Sequence, residues 1–129
     1  MSEAELYKWM SGRFVGQWSR IENAVGSGIP DVCVLYNKQT FWIELKVGKH
    51  ALLRPAQRVW HLHAALQGVN VRVVLLHPDG ITLSIHADTP RLYEFDGKYW
   101  RITSVPSLVA DRHIRWASQI HDVLFSSSP

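Results

Sequence analysis

Cysteine is almost absent. Cys33 is the only one in 129 residues, so no intrachain disulfide can form, and its place in an apolar stretch fits a buried thiol in a reducing compartment. No apolar run approaches the ~20 residues of a membrane-spanning helix. The N-terminus lacks the basic-then-apolar layout of a secretory signal, so a cytoplasmic protein with no membrane partner is expected. Internal repeats and long low-complexity segments are missing, and only the terminal SSSP has the composition of a frayed end. Charge of one sign is scarce too: 14 basic against 11 acidic side chains leave +3, with a pI near 9.2. That admits an anionic partner without identifying one. The lack of a second Cys or His pair at metal-site spacing disfavours a zinc cluster. His61 and His63, two apart on a predicted helix, point about 200° apart and cannot share an ion.

What remains is a folded globular composition, 47% hydrophobic and 19% charged, at a length that suits one domain. The most informative stretch is Gly28 to Lys46, GIPDVCVLYNKQTFWIELK. It reads as a strand from Asp31 to Leu35, a polar turn at Asn37-Lys38-Gln39, and a strand from Thr40 to Val47. Val32, Val34, Phe41, Ile43 and Leu45 supply the alternating apolar face. Asp31, Glu44 and Lys46 break that pattern. Glu44 and Lys46 are two apart and leave one face of their strand, and Asp31 begins the neighbouring strand beside them. Two carboxylates and a lysine crowded together are electrostatically strained unless a divalent cation and a phosphate lie between them. Oxygen ligands from Asp31 and Glu44, with the Leu45 carbonyl as a third, suit Mg²⁺. Lys46 would orient or deprotonate the attacking water. The chemistry described is metal-assisted phosphodiester hydrolysis.

Pro30-Asp31, followed after a hairpin-length gap by Glu44-Leu45-Lys46, resembles the PD-(D/E)xK nucleases. The glycine of GIPD and the downstream Arg54-Pro55-Ala56-Gln57 resemble more narrowly the short VRR-type nucleases often carried by phages, relatives of Holliday-junction resolvases. The resemblance covers roughly residues 20–76; Val71-Arg72-Val73 stands where the family's name would have Val-Arg-Arg. It implies a restriction-endonuclease-like α/β core with a mixed central sheet flanked by helices. It also implies Mg²⁺ (or Mn²⁺ as a substitute), cleavage leaving a 5′-phosphate and a 3′-hydroxyl, and host cytoplasm if the chain is phage-encoded. A branched or junction DNA substrate follows from the resolvase relatives, and a homodimer from the need for two symmetric cuts. Two further residues take roles from the family. Glu22 corresponds to a glutamate that the first helix brings to the metal, although a solvated glutamate pairing with Arg20 or Arg13 is the other reading. Gln57 corresponds to a glutamine that hydrogen-bonds near the scissile phosphate or its water.

The rest of the chain frames that centre. Ser2 and Glu5 form a capping box for a helix from about Glu3 to Ala24, with Leu6, Trp9, Met10, Phe14, Trp18, Ile21 and Val25 as its apolar stripe. Gly12 and Gly16 are its weak points. Pro55 opens a second helix to about Gln67, closed by Gly68, with Val59, Leu62 and Leu66 as its apolar face. Arg20, Lys49, His50, Arg54 and Arg58 are candidate phosphate contacts. Val69 to Leu76 is a buried central strand, and Ile81 to Ile85 alternates as another. Asp96-Gly97 joins Arg91–Phe95 to Lys98–Thr103 in a second hairpin, an edge extension, a dimer contact or a DNA-facing wing. Ser107 is expected to cap a last helix from Leu108 to Phe125. The expected organisation is a single nuclease domain, with its core over about 1–86 and a hairpin-plus-helix extension over about 87–129. The alternative function is a DNA-binding or protein-interaction module on the same fold without cleavage; the intact Asp31, Glu44 and Lys46 argue against it.

Overall fold

The computed structural model describes residues 1–21, 27–87, 92–113 and 118–126. Its order is α1 (Glu3–Arg13), β1 (Gln17–Arg20), β2 (Val32–Tyr36), β3 (Gln39–Val47), β4 (Leu52–Leu53), α2 (Pro55–Leu66), β5 (Asn70–Leu76), β6 (Thr82–His86), β7 (Tyr93–Phe95), β8 (Trp100–Ile102), β9 (Leu108–Asp111) and α3 (Ser118–Leu124). The main sheet runs β1-β2-β3-β5-β6-β9. Only β3 and β5 pair in parallel, through the α2 crossover; its other pairs are antiparallel. A second sheet, β4-β8-β7, stands apart.

The hairpin β2–β3 forms as its alternation demands. Val32, Val34, Phe41, Ile43 and Leu45 are buried in the larger core, with Leu6 and Met10 of α1 and Ile120 and Leu124 of α3. Asn37 and Lys38 both have positive φ, 50° and 61°, so the turn has the backbone twist of a two-residue hairpin. The opposite sheet face carries Glu44 and Lys46 and lies under α2. There Val73 and Leu75 meet Ala51, Leu53 and Ile102 in a smaller core.

Five expectations are corrected. The first helix ends at Arg13 rather than Ala24, because Gly16 takes φ +112° and lies where a Cβ would come within 2.9 Å of Val34. The chain after it becomes β1, with Trp18 opposite Val34 and its indole N–H donating to the Phe14 carbonyl at 3.1 Å. The Ser2 cap itself forms, its Oγ accepting from the Glu5 N–H at 3.2 Å. On α2 the buried residues are Gln57, His61 and Ala64, while Val59 and Leu66 are 49% and 82% exposed. The helix turns its polar side inward because that side covers Glu44. Of the expected last helix, α3 is present, Leu108–Asp111 instead pairs with β6, and residues 114–117 lie outside the described residues. Ser107 does not cap a helix, since its N–H donates to Ile85 at 2.8 Å and its Oγ accepts from Ala87 at 2.9 Å. The second hairpin is no extension of the main sheet, because β8 pairs with β4. Cys33 is a free thiol, half-buried rather than buried, and burial raises its pKa.

Arg72 interrupts the apolar run of β5 and is fully buried. It survives there because carbonyls surround it: Nε donates to Leu124 at 2.8 Å, Nη1 to Ala87 at 2.7 Å and to Val71 at 3.1 Å, and Nη2 to Ser126. A guanidinium presents five donors in a fixed fork, so one side chain ties three chain segments together.

Candidate active site

Three elements meet at the carboxyl end of β3: the start of β2, the first turn of α2 and the first turn of α1. Glu44 is 1% exposed. Its Oε1 accepts from Gln57 Nε2 at 2.7 Å and from Lys46 Nζ at 3.3 Å. Gln57 Oε1 accepts from Lys46 Nζ at 3.3 Å and from the Arg54 N–H at 2.9 Å. The Lys46 side chain is 18% exposed, so this triangle of Glu44, Lys46 and Gln57 opens to solvent at the ammonium. Asp31 stands at its edge, with Oδ2 accepting from the Leu45 N–H at 3.2 Å.

The electrostatics follow from that packing. Burial raises the Glu44 pKa to about 7; Lys46 lowers it and Asp31 raises it further. Glu44 Oε2 is buried without a hydrogen-bond partner. An orphaned carboxylate oxygen in such a place is costly unless a proton or a cation satisfies it. His61, one turn after Gln57, is fully buried, and neither ring nitrogen has a partner. Burial, then the Lys46 charge, lowers its pKa to about 4, so it is neutral at physiological pH.

Glu3, which the sequence did not single out, also feels the charges of the site. Its pKa is raised by burial and then by Asp31, and lowered by Lys46 and Arg20, so the first turn of α1 brings a third carboxylate into the field of the site. The first-turn acidic pattern Glu3 and Glu5 was visible, but nothing in it separated a helix-start charge from a site residue. Glu22 lies outside the described residues. The neighbouring Arg20 ends β1 opposite Val32, beside Asp31, whose carbonyl accepts from the Ile21 N–H at 2.7 Å.

The candidate phosphate contacts divide. Arg20, Lys49 and His50 are exposed, and Arg54 at the N-cap of α2 is partly so. Arg58 instead stacks over the ring of Trp100, with Cζ 4.0 Å from its centroid. The glycine of GIPD serves the protein's own backbone. Gly28 has φ +79°, and a Cβ there would lie 2.1 Å from the Ala56 carbonyl oxygen. The GIPD turn therefore presses against the residue before Gln57 and fixes α2 relative to Asp31.

Hard oxygen donors from Asp31 and Glu44, with one Glu44 oxygen unsatisfied, fit a divalent cation of the magnesium type, which takes few protein carboxylates and keeps waters. Among the described residues, no three His, Cys, Asp or Glu side chains converge into a ready-made metal cage. Among the same residues, no helix is long and apolar enough to cross a membrane.

No protein-family model matches the chain, and no curated protein matches it in sequence. Its structure is similar to that of Hjc, a Holliday junction resolvase from the archaeal hyperthermophile Archaeoglobus fulgidus. The TM-score is 0.56 at 17% identity, over 84% of this chain and 90% of that one. The mixed sheet flanked by helices is the restriction-endonuclease-like α/β fold that the sequence led us to expect.

Proposed function

We propose that the chain is a metal-dependent endonuclease that hydrolyses phosphodiester bonds in branched DNA. The observation that carries this is Glu44, a buried carboxylate held by Gln57 and Lys46, with its second oxygen unpartnered. Asp31 and Glu44 would hold Mg²⁺ or Mn²⁺. The Leu45 carbonyl would join them, because in an extended strand it leaves on the same side as the N–H that meets Asp31. When bound, the cation supplies Lewis acidity to the phosphoryl oxygen and acidifies water. Lys46 Nζ, the solvent-facing corner of the triangle, orients the attacking water and offsets charge developing at phosphorus. Gln57 keeps Glu44 and Lys46 in register through its two hydrogen bonds. Glu3 supplies further negative charge, and Arg20, Lys49, His50 and Arg54 grip phosphates along the rim. Branched DNA, and a homodimer giving two symmetric cuts, are drawn by analogy from the resolvase that shares this fold.

The deciding experiment is cleavage of labelled four-way junction, flap, nicked and plain duplex DNA in Mg²⁺ or Mn²⁺, with Glu44→Ala and Lys46→Ala beside wild type. Cleavage by wild type alone establishes the site, and the favoured substrate assigns the DNA class. A parallel thermal-shift titration reads the cation independently of turnover, with stabilisation expected in wild type and lost in Glu44→Ala. Folded wild-type protein that binds DNA and cuts nothing in either metal would sink the proposal.

A further inference from the structure

The β7–β8 hairpin is built around a stack that ends in the open. Tyr93 pairs with Ile102 and Phe95 with Trp100, and Trp100 with Leu53 of β4. Directly opposed residues share a face, so Leu53, Ile102, Tyr93, Trp100 and Phe95 all lie on one side. The inner end of that face is sealed, with Leu53 and Ile102 packed on Val73 and Leu75. The outer end is not. The Phe95 ring lies 4.8 Å from Trp100, tilted by 38°, and Phe95 remains 49% exposed. Beneath them, the Arg58 guanidinium lies 4.0 Å from the Trp100 ring and 5.3 Å from Tyr93. A cluster of guanidinium, indole and phenyl thus runs from the residue after Gln57 to a half-bare aromatic ring.

We infer that this hairpin is a nucleotide-stacking ledge, on which Phe95 takes an unpaired base beside the scissile phosphate of the DNA. The inference rests on the nuclease reading above and sharpens it to a substrate class: DNA with unstacked nucleotides at the cut, such as a flap, a gap or splayed junction arms.

Charge and rigidity favour that occupant. Glu94 leaves the opposite face of the strand and is paired with Arg101 at 2.7 Å. The Asp96 carboxylate is absorbed by the turn, accepting from the Lys98 and Tyr99 N–H groups at 2.8 and 2.7 Å. Glu94 is offset by Arg101 and Asp96 by the neighbouring Lys98, so the Arg58 guanidinium is the cation set directly against the aromatic rings. Aromatic faces interleaved with cations suit single-stranded nucleic acid, because every base offers a π-face and every nucleotide a phosphate. The tight turn holds the tip in place, so ordering cost on binding is small. Bases inside a duplex are already stacked and gain nothing from the ledge, so it selects for unpaired structure rather than sequence.

The test places 2-aminopurine at the unpaired position next to the branch of a flap substrate. Full-length protein is added in Ca²⁺, and quenching is read with anisotropy, beside a plain duplex. Wild type should quench the probe. Phe95→Ala should not, and should lose roughly five- to hundred-fold of its affinity for the flap, with duplex affinity unchanged. Phe95→Tyr should restore both. Melting temperatures matching wild type exclude misfolding of these variants as the explanation. Equal quenching and binding by Phe95→Ala would overturn the ledge. So would a wild-type dimer that Phe95→Ala dissociates, since the ring would then be a protein contact. Wild type that binds neither DNA would discard ledge and nuclease together. Quenching by a wild type that never cuts in Mg²⁺ would keep the ledge and discard the nuclease.

Discussion

Gln57 Nε2 lies 2.7 Å from Glu44 Oε1, the shortest bond in the site and one made between two buried side chains. It decides which way α2 faces. It also makes Gln57 the group that supports the Glu44 charge, since Gln57 can donate to the carboxylate and accept from Lys46 at once. Gln57→Ala removes a hydrogen bond to a buried ionisable group, about 1–3 kcal/mol. The expected outcome is a carboxyl that ionises less readily and a weaker cation response. We expect a right-shifted Mg²⁺ dependence of cleavage and a smaller Mg²⁺-induced rise in melting temperature. An unchanged Mg²⁺ titration would show that Gln57 is only a helix-start residue.

Stability against pH should expose Glu44 and His61 as opposing groups. The Glu44 pKa rises from 4.5 to about 7 on folding. The folded state therefore binds its proton more tightly, and that stability is lost as pH rises through this window. The His61 pKa falls from 6.5 to about 4, so its contribution is present above 6.5 and lost as pH falls toward 4. Each slope is at most about 1.4 kcal/mol per pH unit, and between about 4.5 and 6.5 they cancel. Denaturant melts without divalent cation should show little net slope from the pair there. Glu44→Gln should make stability climb with pH across that range, and His61→Leu should make it fall. Identical profiles for the three proteins would contradict the burial argument. Saturating Mg²⁺ should stabilise wild type more at pH 8 than at pH 5.5, because the cation and the proton compete for one carboxyl.

The parts legible in the sequence were those where one periodicity held and charges interrupted it. The β2–β3 hairpin alternated cleanly, so Asp31, Glu44 and Lys46 stood out. The continuous apolar run of β5 read as a buried strand next to the crossover helix. Other features failed for physical reasons. Leu6, Met10, Phe14 and Trp18 keep a helical spacing across Gly16, where the backbone leaves the helix. Residues Leu108–Asp111 are as compatible with a helix face as with an edge strand; only the free edge of β6 decides between them. Gln57 faces the sheet because the Glu44 carboxylate takes its N–H, and His61 follows it inward one turn later, which no hydrophobic pattern encodes. Glu3 enters the field of Asp31 through the tertiary packing of Leu6 and Met10, which has no local signature.

Gly28 and Gly80 both have positive φ, +79° and +72°, yet only Gly28 has a neighbour in the way. Gly80→Ala should cost only the left-handed backbone penalty, about 1–2 kcal/mol. Gly28→Ala should cost more, because its Cβ would overlap the Ala56 carbonyl and push α2 off the GIPD turn. Urea denaturation of the two variants measures the difference. Gly28→Ala should also lose cleavage out of proportion to its stability, since the helix that moves carries Gln57. Equal destabilisation by the two substitutions would mean that the contact with Ala56 relaxes freely.

Arg72 makes a different kind of claim, because its guanidinium is buried among backbone carbonyls. Its guanidinium reaches Ala87, Leu124 and Ser126, and its face lies 5.4 Å from the Phe41 ring. Arg72→Met retains much of the apolar stem but leaves these carbonyls without their donors, at about 1–3 kcal/mol for each one stranded from water. The terminal turn of α3 is best placed to escape that cost by detaching, so the expected loss is about 2–4 kcal/mol overall together with faster proteolysis after residue 118. Arg72→Lys should not rescue it, because a single ammonium cannot span carbonyls on three segments. Retained protease resistance in Arg72→Met would assign the anchoring of α3 to Ile120 and Leu124 alone. A detached helix would instead show that a buried cation, placed where a strand pattern predicts only aliphatic side chains, closes the larger core over the hairpin that carries Asp31 and Glu44.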